Sequence, residues 1–110
     1  MVPPRLAHLG RYSGPATLIL SSLADGAKHG YALAKDIEQF AGLHLSPGTL
    51  YGALTRLVDQ GLIAPVASAD ERRRPYRITA AGSEALRAQL SEQRRVADVG
   101  LRRLAGGTSA

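Results

Sequence analysis

The sequence predicts a mainly α-helical fold with a small two-stranded β wing, on three observations. Before residue 62, three apolar repeats at helical spacing are separated by breaks rich in Gly and Pro. After it, two short β-prone runs flank a charged stretch, and residues 80–104 carry a leucine stripe long enough for one extended helix. A chain of 110 residues has room for one domain and an appended helix, with a modest core.

Residues 1–12, with Pro3, Pro4 and Arg5, read as a flexible N-terminal arm. Ser13, Gly14 and Pro15 then make a helix start, in which the Ser13 hydroxyl accepts from an early backbone N–H and Pro15 sits where its missing donor costs nothing. Ala16, Ile19, Leu20 and Leu23 follow at i, i+3, i+4 and i+7, one buried face of a first helix that stops at Asp25-Gly26. A second helix begins near Gly30, with Leu33, Ala34, Ile37, Phe40 and Ala41 at the same spacing and Gly42 as its stop. Ser46 and Pro47 are the clearest start in the chain, N-cap and first residue of a third helix. Its inward stripe is Leu50, Leu54, Leu57 and Val58, and Gln60-Gly61 ends it. Residues 62–67 can extend, with Pro65 confining them to a sheet edge, and pair with residues 76–79 across the polar tip of residues 68–74. Thr79 caps the last helix, residues 80–104, about 37 Å long at ~1.5 Å per residue. Gly82 and Gly100 weaken that helix, and residues 105–110 form a flexible tail. Three helices followed by a two-stranded wing is the order of a winged helix-turn-helix, here residues 13–79, with 80–104 as a separate helix.

Hydrophobic residues at 45% against 21% charged exclude wholesale disorder. No apolar run approaches the roughly 20 residues that cross a bilayer and no long apolar segment follows Arg5, so no membrane partner and no signal peptide are read, and a cytoplasmic protein is expected. The absence of cysteine excludes a disulfide scaffold and any thiolate metal site. His8, His29 and His44 fall in the arm, at a helix start and in a linker without ligand spacing, so no metal is expected; His29 suits a cap on the second helix. With no phosphate-binding glycine loop and no nucleophile elbow, neither a cofactor nor a catalytic residue is expected, and the chain is not read as an enzyme. The net charge of +5 is concentrated late: residues 66–110 hold nine Arg against five acids, residues 1–65 five basic against four acidic groups. A basic surface favours polyanions, although charge alone also fits a membrane surface or solubility.

In a winged helix-turn-helix the third helix enters the major groove of double-stranded DNA while the wing reaches backbone or minor groove. With the leucines inward, the opposite face of the third helix displays Gly48, Thr49, Gly52, Thr55, Arg56 and Asp59. Small residues let the helix approach base edges, Thr49 and Thr55 offer hydroxyls and methyls, and Arg56 suits phosphate or guanine. Ser46 and the free N–H groups at the helix start suit a phosphate. Arg72, Arg73 and Arg74 at the hairpin tip suit phosphates or a minor groove, or else simply keep a solvated loop polar. Tyr51 lies beside Leu54 and Val58, which predicts a mostly buried ring with its hydroxyl at the surface.

His29-Gly30-Tyr31, the string Leu45-Ser46-Pro47-Gly48-Thr49-Leu50-Tyr51, then Ala53-Leu54, Arg56-Leu57, Gly61-Leu62-Ile63 and the run from Arg72 to Thr79 with Gly82 follow in order. In types and spacing, over about residues 14–83, they resemble the pattern of the PadR family of bacterial transcriptional regulators. The resemblance implies a sequence-specific DNA-binding regulator, usually a repressor, that dimerises through its C-terminal helix and is released from DNA by an effector. It places Tyr31, Lys35, Ser46, Gly48, Thr49, Tyr51 and Arg56 in the DNA-facing region and Arg72 to Arg74 on the basic wing. Gly52 stands where the family often has Pro, and Thr55 where it often has a basic residue. By its shortness the chain resembles members with a single C-terminal helix. Some members hold flat aromatic drugs between tryptophans at the dimer interface; this chain has no Trp, and the identity of a small-molecule effector stays open.

The stripe of Leu86, Leu90, Ala97, Leu101 and Leu104 is too long to be buried against so small a core, which argues for dimerisation with a second copy. The alternative is a fold-back on the first helix of the same chain. A two-fold homodimer would present two third helices ~34 Å apart to a pseudo-palindromic operator. Two other uses of the fold stay open: docking another protein in place of DNA, and binding DNA without sequence preference.

Overall fold

The computed structural model describes residues 5–68, 70 and 73–107. A 3-10 segment, Leu6–Tyr12, leads into α1 (Ser13–Leu23), α2 (Gly30–Ala41), α3 (Pro47–Asp59), β1 (Ile63–Pro65), β2 (Tyr76–Ile78) and α4 (Ala80–Gly107). This is the mainly helical, winged architecture that the sequence predicts.

Local chemistry accounts for most of the boundaries. The Ser46 hydroxyl accepts from the Thr49 N–H at 3.2 Å with Pro47 next in line, and His29 Nδ1 accepts from the Ala32 N–H at 3.4 Å. Gly42 closes α2 in the left-handed conformation, φ +67°, that favours glycine. The Thr79 hydroxyl accepts from the Gly82 N–H at 3.0 Å and donates to the Gly61 carbonyl at 2.6 Å, so one side chain starts α4 and ties it to the end of α3. Ser13 differs from expectation. It lies inside α1, which has no side-chain cap because the 3-10 segment runs straight into it, and its carbonyl accepts from the Thr17 hydroxyl.

α1 is the central helix, touching the 3-10 segment, α2, α3, α4 and β2. Ile19, Leu20 and Leu23 meet Leu33 and Ile37 of α2, Leu50, Ala53, Leu54 and Leu57 of α3, and Leu62 and Ile63 around β1 in one buried cluster. Ser22, buried between helices, donates to the Asp36 carboxylate at 2.6 Å, so α1 and α2 are joined by a satisfied polar contact as well. Phe40, expected on the inward face of α2, is exposed; the small Ala34 and Ala41 pack against the core in that part of the helix.

The wing pairs antiparallel in the register Ile63 with Ile78, Ala64 with Arg77 and Pro65 with Tyr76. On the other side of β2, Lys28 exchanges two backbone hydrogen bonds with Tyr76, at 3.1 and 2.9 Å. β2 is therefore flanked on both sides and β1 is the edge strand, the position where Pro65 costs no ladder bond.

Two expectations about the ends are corrected. The arm is not loose from Leu6 onward: Leu6 is 1% exposed, and Leu9 and Tyr12 pack on the same core. Gly10, at φ +58° and ψ −124°, turns the chain within the segment, so that Leu6 enters the core while Tyr12 reaches α3. Residues 105–107, assigned to a flexible tail, are the last turn of α4. Residues 1–4 of the arm and 108–110 of the tail lie outside the described residues.

α4 divides along its length. Ala85 and Leu86 are buried in the chain's own core and Ala81 packs on it, whereas Leu90, Val96, Leu101 and Leu104 are exposed, the last two at 66% and 69%. The fold-back on α1 thus holds for the first turns alone, and Leu86, expected in the intermolecular seam, belongs to the monomer. Gly82 is not a weak point. A Cβ there would stand 2.0 Å from the Leu62 carbonyl oxygen, so only glycine lets α4 begin against the end of α3.

Candidate nucleic-acid interface

α3 turns Leu50, Ala53, Leu54 and Leu57 into the core and leaves Gly48, Tyr51, Thr55, Arg56 and Asp59 exposed. The exposed strip is small and polar along its middle. Thr55 donates back to the Tyr51 carbonyl at 2.9 Å, which leaves its methyl and oxygen lone pair facing outward. At the start of α3, Ser46 is engaged twice, by the Thr49 N–H and by a 3.0 Å bond to the Thr49 hydroxyl. The early N–H groups of α3 add partial positive charge there.

Two tyrosines flank α3, each laid over a glycine. On one side Tyr51 rests on Gly30 of α2, where a Cβ would meet its hydroxyl at 2.8 Å. The ring is 54% exposed, against the expectation of burial, because it leaves the edge of α3 and lies across the backbone of α2 instead of beneath it. Tyr31, 68% exposed, carries Lys35 over its ring with Nζ 5.6 Å from the centroid. Tyr31, Lys35 and Tyr51 line one hollow of about 360 Å³ between α2 and α3 with Leu45, Pro47 and His44.

On the other side Tyr12 rests on Gly52, where a Cβ would meet the ring edge at 2.9 Å. Gly52, expected to be small so that DNA can approach, is small because Tyr12 covers it. The Arg56 guanidinium lies 4.0 Å from the Tyr12 centroid, and Arg56 donates to the Gly52 carbonyl at 3.0 Å. Arg11 donates to the Tyr12 hydroxyl at 3.1 Å. Arg11 and Tyr12 share a hollow of about 390 Å³ with Ser46, Gly48 and Thr49. Neither Arg11 nor Tyr12 belongs to the motifs that mark the DNA-facing region in the sequence. The signal that finds them is apolar: Leu6, Leu9 and Tyr12 put three core-seeking side chains into a stretch otherwise read as a loose arm.

From the wing, Arg74 faces α3 across a hollow of about 240 Å³ that it lines with Tyr51, Thr55, Asp59 and Tyr76. Arg73 is exposed at the tip, and Arg72 lies outside the described residues. Ser46, Gly48, Thr49, Tyr51, Thr55, Arg56 and Arg74 thus share one side of the molecule with Tyr31 and Lys35. Of the histidines, His29 caps α2 and His44 meets the Glu38 carboxylate at 2.6 Å. No helix among the described residues is long and apolar enough to cross a membrane.

Residues 19–88 match the model of the transcriptional regulator PadR-like family. Over 93 residues the chain is 41% identical to a transcriptional regulator of Mycobacterium tuberculosis, covering 83% of this chain and 82% of that protein. It is 49% identical over 69 residues to an uncharacterized 37.1 kDa protein in a transposon of Streptomyces fradiae, which is 63% of this chain but 20% of the relative, so the chain spans a fifth of that protein's length. The fold is similar to the crystal structure of a PadR family transcription regulator from Clostridium difficile, with a TM-score of 0.72 at 29% identity, covering 81% of this chain and 96% of that one. A transcriptional regulator from Clostridium thermocellum aligns with a TM-score of 0.72 at 28% identity, over 86% and 96% of the two chains.

Proposed function

The chain belongs to the PadR-like family of transcriptional regulators, and on that premise we propose that it is a sequence-specific repressor binding a pseudo-palindromic operator as a homodimer. The observation that carries the reading is the outer strip of α3: small and polar, exposed at Gly48, Thr55 and Arg56, and faced by Arg74 of the wing. Thr55 and Gly48 suit close approach to base edges. Arg56 suits phosphate or guanine, Ser46 and Thr49 a phosphate at the start of α3, and Tyr31, Lys35 and Tyr51 the neighbouring backbone. Arg72, Arg73 and Arg74 contact phosphates from the wing. In this reading residues 13–79, together with the 3-10 segment, form the reading head. The distal part of α4, with Leu90, Ala97, Leu101 and Leu104, forms the pairing surface, and a small-molecule effector releases the complex.

A mobility shift with the promoter fragment of the protein's own gene neighbourhood, at low and moderate salt, tests the reading. Arg56→Ala is expected to weaken binding about tenfold or more, as for the loss of one base or phosphate contact. Changing Arg72, Arg73 and Arg74 together to Ala should lower the slope of log K against log salt by about one per lost phosphate contact. If both variants bind like the parent, this face is not the interface; a stable dimer that shifts no fragment is a protein-docking module.

A further inference from the structure

Resting on the DNA-binding reading of α3, we propose that Tyr12 is a positioning residue for Arg56, which makes the segment ahead of α1 a working part of the recognition surface. Arg56 is held at two points, its guanidinium 4.0 Å from the Tyr12 ring centroid and its Nη1 on the Gly52 carbonyl at 3.0 Å. A free arginine on a helix surface samples many rotamers and must be ordered when it meets DNA; one laid on a ring is ordered beforehand, so less affinity is lost on binding.

The seat is specific to this chain's residues. The ring lies over residue 52 only because that residue has no Cβ, which would otherwise stand 2.9 Å from the ring edge. Tyr12 is held in turn by Arg11, whose Nη2 donates to its hydroxyl at 3.1 Å and whose guanidinium lies 5.0 Å from the centroid. Two guanidiniums are therefore gathered on one aromatic ring, and among the described residues neither pairs with a carboxylate. The electron-rich face offsets part of their mutual repulsion. Solvent screens much of the rest, and an anion such as a DNA phosphate relieves it further.

A double-mutant cycle decides it. The affinity of the parent, Tyr12→Leu, Arg56→Ala and the double variant is measured by fluorescence anisotropy on a duplex that the parent selects from a random-sequence pool. Tyr12→Leu is expected to weaken binding about fivefold, Tyr12→Phe to stay within about twofold, and Tyr12→Leu to add nothing once Arg56 is Ala. In the free protein the Arg56 Nε–H resonance, shielded by the ring, should move toward its unshielded position in Tyr12→Leu and equally in Gly52→Ala, which pushes the ring aside. Equal losses from Tyr12→Leu with and without Arg56 overturn the positioning role, as does an Arg56 resonance that neither variant moves. A full-affinity Tyr12→Leu beside a weakened Arg56→Ala also overturns it, while leaving the DNA reading intact. If Arg56→Ala costs nothing, or the parent selects no duplex, the reading and the inference fall together. Should Tyr12→Leu not fold, the Gly52→Ala resonance alone decides.

Discussion

Lys28 concentrates more of the fold in one residue than its place in a loop suggests. Its backbone is bonded both ways to Tyr76 of the wing, and its ammonium donates to the Ser22 carbonyl at the end of α1 and to the Asp25 carboxylate. Lys28→Met should therefore lower stability by about 1 kcal/mol, the worth of a charged donor on the last carbonyls of a helix, measured by urea denaturation. The hydrogen bond from Lys28, and then its charge, holds the Asp25 carboxyl below its ordinary value. A depressed carboxyl contributes fully above its unfolded pKa and loses the contribution as pH falls through the depressed one. The gap between parent and Lys28→Met should accordingly narrow when the titration is repeated below the usual carboxylate range, modestly so because Asp25 is exposed. Tyr51 shows what was not legible at this scale. Its neighbours along α3 are apolar, which predicts burial, but the position of the ring is set by Gly30, which is distant in sequence. Tyr12 and Gly52 repeat the case: helical spacing says which way a residue points, not what lies across from it.

At the level of elements, the starts of α2, α3 and α4 were legible because caps are local chemistry, as Ser46 and Thr79 show. The 3-10 segment was not, since Pro3, Pro4 and Arg5 read as loose chain and the two short turns on either side of Gly10 are too brief to show a helical period. The strands are shorter than the runs that mark them: β1 and β2 hold three residues each, extended at the two ends by bonds from the Val66 N–H to the Pro75 carbonyl and from the Thr79 N–H to the Leu62 carbonyl. The sharpest element-scale prediction concerns Gly82. Helix propensity alone says that Gly→Ala in a helix stabilises by about 1 kcal/mol. A Cβ 2.0 Å from a backbone carbonyl oxygen reverses the sign, because the first turn of α4 must move away from Leu62. Gly82→Ala is therefore expected to lower the thermal midpoint by several degrees, and Gly100→Ala, with open space around it, to raise it slightly. Scanning calorimetry of the two variants checks both signs.

Taken whole, the chain is extended, with a radius of gyration of 15.9 Å where a compact chain of this length would have about 13 Å. The excess is α4, whose distal turns leave the core with Val96, Leu101 and Leu104 exposed. Under the proposed pairing, Leu101→Asp with Leu104→Asp should give a monomer by light scattering that keeps its helical circular dichroism. It should bind the selected duplex at least a hundredfold more weakly, since two linked heads exceed one by that order. That the stripe divides between a monomer core at Leu86 and an exposed end was not legible, because its period is the same throughout and the core's reach along it is a tertiary fact.

The projecting helix has a mechanical consequence. Past Glu92, which Arg5 meets at 3.9 Å, its turns project with Val96, Leu101 and Leu104 exposed, so their direction is set largely by the stiffness of one rod and by whatever it crosses. In a pair joined at the distal ends, each rod is a lever: a tilt of about 10° at the crossing, carried through roughly 30 Å, moves a reading head by about 5 Å, more than the rise of one base pair. Under the proposed pairing and release, an effector at the crossing would need only to change an angle to put the two heads out of step with the DNA.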